Sequence, residues 1–262
     1  MRNSVVLKSA LLLGFATPGL LAAQEAPLTG AYVLQRMHDS YAGKWYKSLT
    51  FTQKTTRRRP DGTDNVQTWL ESMRYTPESG TRLRIDIGDL ADGRGILYTA
   101  DSSWRVQNGK AANGTADGNQ FVPLIEGVYV QPIAKTTAEL TRLGFNLNKS
   151  YRANYDGQPV WIVGAADAND TLVSRFAIDT VRKVLLHMRI MSGPTAPPID
   201  AKLGNYVKAG NAWLATKVDM TSNGKPVQTE EYSDWKIDLE LPNALFDVAQ
   251  WSTVLHWGKK NP

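Results

Sequence analysis

The chain has 262 residues, with 30 Lys and Arg against 25 Asp and Glu, a formal charge of +5 and no cysteine. Without cysteine there is no disulfide and no lipid-modified N-terminal thiol. So modest a positive charge, not gathered on one face, argues against nucleic acid as a partner and permits only weak attraction to anionic surfaces.

The first 23 residues read as a cleaved secretory signal peptide. Arg2 and Lys8 make a positive start, Ser9 to Leu21 a short apolar run broken by Pro18 and Gly19, and Ala22 and Ala23 a small-residue site before Gln24. A spanning helix needs about 20 apolar residues, so no stable membrane insertion is expected. Export without disulfides fits the bacterial periplasm. The mature part, residues 24–262, is expected to be one domain, since no Ser/Gly/Pro linker is long enough to divide it.

Thr29 reads as the cap of a helix that carries Leu34, Met37 or His38, and Tyr41 at helical spacing. Strand patterning starts near Leu49. One hairpin runs through Phe51 and Gln53, turns at Pro60-Asp61-Gly62 and returns through Trp69, Glu71, Met73 and Tyr75. Leu83, Ile85 and Ile87 then alternate with Arg82, Arg84 and Asp86, which predicts one buried and one wet face. Ile96, Tyr98, Trp104 and Val106 continue the pattern. Further Asx-Gly turns at Asp92-Gly93, Asn108-Gly109, Asp156-Gly157 and Asn223-Gly224 supply the positive φ angles of tight antiparallel hairpins.

Residues 111–120 read as an exposed loop. From Phe121 to Ile133 the chain is densely apolar but broken by Pro123, Gly127 and Pro132, too interrupted for a central strand. Leu140, Leu143 and Leu147 follow on one helical stripe. The segment reads either as a helix packed across an open sheet or as a movable cover over an apolar cavity. A second meander follows: Val160 and Ile162, a turn at Asp167 to Asp170, Leu172, Phe176 and Ile178 against Val173, Arg175 and Asp179, then Val184, Leu186, Met188 and Ile190. After the loop at Ser192-Gly193-Pro194 come Tyr206, Trp213 to Met220 and Val227 to Leu239, and a short helix or cap over Asn243 to Trp257. So long a meander must cover its edges, and curling around helices into an incomplete barrel is one solution.

Chemistry-bearing patterns are absent. His38, His187 and His256 stand far apart with no second ligand at metal spacing, and there is no Gly-x-Ser-x-Gly elbow or phosphate-cradling loop. Asp167 to Asp170 lacks the glycine and distal glutamate of a calcium loop and reads as a turn. Arg57-Arg58-Arg59 reads as a solvated hairpin arm or a docking patch for an acidic partner or for lipid headgroups. No metal, no cofactor and no enzymatic activity are expected.

Phe51-Thr52-Gln53-Lys54 after an amphipathic helix, Trp69-Leu70, Arg74 near Pro77, Leu83-Arg84-Ile85, Ile96-Leu97 and Ser103-Trp104 resemble, in that order, the LolA family of periplasmic lipoprotein carriers. Phe121-Val122-Pro123-Leu124-Ile125 is similar to that family's apolar lid, and Ala177-Ile178-Asp179 and Tyr232-Ser233-Asp234-Trp235 look like related sorting proteins. The resemblance implies a mainly β fold, a strongly curved antiparallel sheet forming an incomplete half-barrel, with helices covering a concave apolar face that binds acyl chains. In that family an arginine directly before a proline latches the lid. The nearest match is Arg74, with Tyr75 and Thr76 intervening.

An acyl chain leaving a bilayer forfeits roughly 0.8 kcal/mol per methylene, so its carrier needs a deep, dry, apolar concavity. The wall candidates are Trp69, Met73, Leu83, Ile85, Tyr98, Trp104, Phe176, Met188 and Trp213; the lid candidates are Phe121, Leu124, Ile125, Leu140 and Leu143, with Arg74 as candidate latch. The expected function is a monomeric periplasmic carrier that takes lipoproteins or other acylated cargo from an inner-membrane transporter towards an outer-membrane acceptor. A lipoprotein-binding sensor on the same half-barrel, or a hydrolase, are the alternatives.

Overall fold

The computed structural model describes residues 28–193 and 195–258. The signal-peptide reading of residues 1–23 lies outside the described residues, as does Pro194 of the proline loop. Among the described residues, thirteen antiparallel strands form one open sheet. The first six are β1 (Ser48–Arg58), β2 (Asp64–Thr76), β3 (Gly80–Ile87), β4 (Gly95–Tyr98), β5 (Ser103–Gln107) and β6 (Lys110–Ala111). The rest are β7 (Ser150–Tyr155), β8 (Gln158–Val163), β9 (Arg175–Asp179), β10 (Leu185–Ile190), β11 (Ile199–Ala209), β12 (Ala212–Ser222) and β13 (Lys225–Ile237).

Their order is β6-β5-β4-β3-β2-β1-β13-β12-β11-β10-β9-β8-β7. The chain therefore starts in the middle, walks to one edge, crosses over, and walks back from the other edge until its last strand lies beside its first. The crossover must span the sheet. It carries a π-helical turn (Pro123–Gly127), the short helix α2 (Val128–Val130) and α3 (Ile133–Arg142). These pack beside α1 (Gly30–Tyr41), whose Thr29 hydroxyl accepts the Tyr32 amide at 3.1 Å and whose Val33, Leu34, Met37 and Tyr41 are buried. The helices cover the concave side, as a curved sheet with one apolar face requires.

The Asx-Gly dipeptides do what their sequence predicts at three hairpins. Asn108, Asp156 and Asn223 have φ of 51°, 49° and 49°, and the glycines after them are also positive, as the tightest right-twisted hairpins demand. Asp92-Gly93 differs: Gly93 ends the helical turn Leu90–Asp92 instead of forming a two-residue hairpin. Leu172 also departs from expectation. β9 begins only at Arg175, and Leu172 is 80% exposed in the preceding loop.

The convex side carries its own layer. Leu241, Leu245, Phe246 and Trp251 cluster with Leu97 and Val106. Three arginines on the outward face of β2 and β3 hold this C-terminal segment through its carbonyls: Arg74 binds Leu241, Arg82 binds Phe246 at 3.0 Å, and Arg84 binds Leu245 and Trp251 at 3.2 Å each. Arg84 is also forked onto Asp86 at 2.7 and 2.8 Å, and lies 3.8 Å from the Trp251 ring centroid. His256 Nε2 reaches the same carboxylate at 2.9 Å. Arg74, the candidate lid latch, is thus a clasp for the C-terminal segment. Successive strand residues point to opposite faces, so a neighbour of the inward Met73 faces away from the lid.

Candidate binding cavity

Between the concave face and the crossover lies a cavity of about 300 Å³, at the lower end of the roughly 300–1,000 Å³ typical of ligand sites. Strand register builds its wall in layers. Leu49, Met73, Leu83 and Tyr98 are successive cross-strand partners on β1 to β4, and Phe51, Glu71, Ile85 and Ile96 form the next layer. Trp69 and Tyr232 flank Gln53, Val218 stands beside Glu230, and Met220 and Arg57 stand on either side of Gln228. Leu185, Leu203, Tyr206, Trp213 and Ala215 close the far side.

A bulge decides what β13 presents here. Phe51 faces two residues, Asp234 and Trp235, where the register slips between Thr50 and Thr52, and Asp234 takes φ 51° to accommodate the extra residue. The slip exchanges the two faces of β13. Trp235 and Ile237 pack inward on one side of it; Tyr232, Glu230 and Gln228 point inward on the other. Without it Glu231, which instead pairs outside with Lys54 at 3.1 Å, would hold the inward position.

The crossover contributes Phe121, Ile125 and Tyr129 to the cavity. Tyr129 stacks on Trp45 at 3.7 Å between centroids and donates its hydroxyl to the Lys183 carbonyl at 2.8 Å. Trp45 Nε1 donates to Glu126 Oε2 at 2.9 Å from within the core, and burial pushes the Glu126 carboxyl well above the usual carboxylate range. His38 Nδ1 lies 2.9 Å from the Val128 carbonyl. These bonds pin the π-helical turn over the cavity.

Of the residues expected in the wall, Trp69, Met73, Leu83, Ile85, Tyr98 and Trp213 line the cavity, and so do Phe121 and Ile125 of the expected lid. Trp104 does not. It is the cross-strand partner of Leu97, so it shares the convex face and packs against the C-terminal cluster. Phe176 and Met188 are cross-strand partners buried solidly beneath the helices, with Phe176 edge-on to Phe145 at 5.4 Å. Leu124 and Leu140 are fully buried in the same packed core, and Leu143 packs against it. All of these are filling rather than wall, because each lies in or against the packed core, away from the cavity lining.

The cavity is not uniformly greasy. Gln53, Glu71, Gln228, Glu230 and Arg57 gather toward the β1–β2 hairpin end. Glu230 accepts from the Tyr232 hydroxyl at 2.7 Å and from Gln228 Nε2 at 2.5 Å. Arg57 donates to Gln228 Oε1 at 2.7 Å and lies 5.1 Å from the Trp69 ring centroid. Burial pushes both carboxyls up, Glu71 well up, and the Glu230 charge adds to the effect on Glu71. Sequence alternation places Glu71 between Trp69 and Met73 in an inward series, and a charged residue in such a series is the signal that marks the polar end of the cavity.

A raised carboxyl pKa means that the folded state binds a proton more tightly than the unfolded chain, so stability falls as pH rises above the ordinary carboxylate range. Glu71→Gln is therefore expected to match wild type near pH 4 and to exceed it by about 1–3 kcal/mol at pH 8 in urea unfolding, the scale of one uncompensated buried polar group. A constant difference across that range would show that Glu71 does not titrate anomalously.

Among the described residues there is no helix long and apolar enough to cross a membrane, and no group of three or more His, Asp or Glu that would hold a metal ion. Several solved structures are similar to this chain, among them the following three. A putative outer membrane lipoprotein-sorting protein domain from Vibrio parahaemolyticus is 14% identical with a TM-score of 0.57, over 85% of this chain and 98% of that one. A DUF1329 family protein from Desulfovibrio piger is 13% identical with a TM-score of 0.61, over 83% and 95%. A LolA superfamily protein from Nitrosomonas europaea is 12% identical with a TM-score of 0.52, over 84% and 98%. The chain thus has a LolA-like fold. No family model and no curated protein matches the sequence.

Proposed function

We propose that the chain is a monomeric periplasmic carrier that buries the acyl chains of lipoproteins, or of related lipids, and shuttles them from an inner-membrane transporter towards an outer-membrane acceptor. One observation carries this reading: an apolar hollow of about 300 Å³ lies under a crossover that inserts Phe121 and Ile125 into it. Protein interiors are otherwise close-packed, with few voids larger than a water molecule, so an apolar hollow of this size calls for an occupant. Reversible burial, not bond making, is the mechanism. The export pattern of residues 1–23 supports the location, and the resemblance at Phe51 to Lys54 and at Phe121 to Ile125 supports the cargo class.

The mechanism sets opposing demands. Each methylene buried returns roughly 0.8 kcal/mol, and release requires the crossover to move. The turn is pinned by a few separate groups, Trp45, Tyr129 and His38 among them, rather than by strand pairing. Native mass spectrometry of protein purified from the periplasm, followed by lipid extraction, tests the proposal. The expected result is a protein carrying acylated mass. Protein that is empty as purified and takes up no fluorescent fatty acid would overturn it.

A further inference from the structure

Among the described residues, Glu71, Glu126, Glu139 and Glu230 are buried carboxyls in or under the concave face, and the last three each have a donor on at least one oxygen. Glu126 has Trp45, Glu139 has Gln131 Nε2 at 2.8 Å, and Glu230 has Tyr232 and Gln228. Glu71 is only 5% exposed and lines the cavity, yet among the described residues it has no hydrogen-bond or ion partner. The nearby guanidinium of Arg57 is turned to Gln228 and Trp69 instead. A carboxylate that faces an apolar cavity without a donor is costly once an apolar occupant seals it from solvent. An occupant with a bare hydrocarbon end would leave that cost unrelieved, and one with a carboxylate end would add a third negative group. A cationic N–H donor relieves it, and offsets the burial and the Glu230 charge that otherwise favour the protonated form of Glu71.

The surroundings favour the same chemistry. Glu71 is the cross-strand partner of Phe51, whose ring lies 4.7 Å from that of Tyr232, between centroids. Aromatic faces attract cations within about 6 Å. Glu230, hydrogen-bonded to Tyr232, adds a second carboxylate close enough for its charge to act on Glu71.

Building on the carrier reading, we infer that the cavity's ligand is an amphiphile whose polar end is a primary ammonium, received by Glu71 and Glu230 beside the Phe51 and Tyr232 rings while its chain fills the apolar remainder. Glu71 is then a specificity-determining residue within a lipid site.

Calorimetric titration of the delipidated protein with dodecylamine, dodecanol and dodecanoate, each below its micelle concentration, tests the inference. Dodecylamine is expected to bind at least tenfold more tightly than dodecanol, and dodecanoate most weakly. Glu71→Gln should bring the amine within about twofold of the alcohol. Equal binding of amine and alcohol by wild type, or an amine preference that survives in a folded Glu71→Gln protein, would overturn the inference while leaving the carrier reading intact. If none of the three binds wild type, the carrier reading fails as well. Should the variant not fold, as judged by circular dichroism, the wild-type order decides alone. Lysophosphatidylethanolamine against lysophosphatidylcholine then separates the sources: tighter binding of the ethanolamine head assigns the ammonium to a membrane lipid, and equal binding assigns it to a free long-chain amine.

Discussion

Arg84→Met is expected to lower the stability of the protein by about 3–5 kcal/mol in urea unfolding at pH 7, the range for breaking a buried ion pair from one side. Arg84 is 2% exposed and holds four oxygens at once, two on Asp86 and one each on Leu245 and Trp251. Methionine would fill part of the space but leave the buried Asp86 carboxylate with the His256 Nε2 contact in place of the guanidinium fork. Burial opposes the Asp86 charge, yet bonds from His256 and Arg84 more than offset it and hold the carboxyl below the usual range. A depressed carboxyl stabilises the fold above its unfolded pKa and loses that contribution as pH falls through the folded one, so the gap between wild type and variant should narrow in acid. Ligand uptake by the folded variant should persist, because the cluster lies on the convex side. A loss below 1 kcal/mol would mean that Arg74, Arg82 and the apolar contacts hold the C-terminal segment without help from Arg84.

Ala215→Trp should do the reverse. Ala215 is a buried residue of the cavity's far side, on β12 opposite Tyr206. An indole there would occupy space meant for a chain. Excluding about four methylenes forfeits roughly 3 kcal/mol, which is over a hundredfold in dissociation constant. Because the new ring enters a hollow rather than a packed core, the overpacking cost should stay within about 1–3 kcal/mol, and the sheet should remain folded. Displacement of a fluorescent fatty acid reads the first effect and thermal unfolding the second. Undiminished uptake would show that chains do not enter from this part of the cavity.

Much of the framework was legible because it is local. The cap at Thr29, the buried stripe through Leu34, Met37 and Tyr41, and the hairpins at Asn108, Asp156 and Asn223 all follow from residues within one turn of each other. Facing was legible only within one strand: Trp69, Glu71 and Met73 share a side whatever the rest of the sheet does. Across a turn it was not. Trp104 falls on the convex face because register pairs it with Leu97 rather than Tyr98, and one residue of slip decides this. β13 hides its inward set for a related reason, since the bulge opposite Phe51 brings Glu230 and Tyr232 inside. Phe176 and Met188 show a third limit. Alternation marks a residue as inward but does not say whether it meets a hollow or a neighbour, and over them the helices fit closely.

The adjacency of first and last strands has a consequence for biogenesis. β1 finds one of its two neighbours, β2, immediately, but its other edge stays bare until β13, the last of the described strands in chain order, arrives. Closing so long a loop is slow and entropically costly. Among the described strands, the seam at the middle of the sheet is therefore the last to close, and the two half-sheets on either side of it can each form before they are joined.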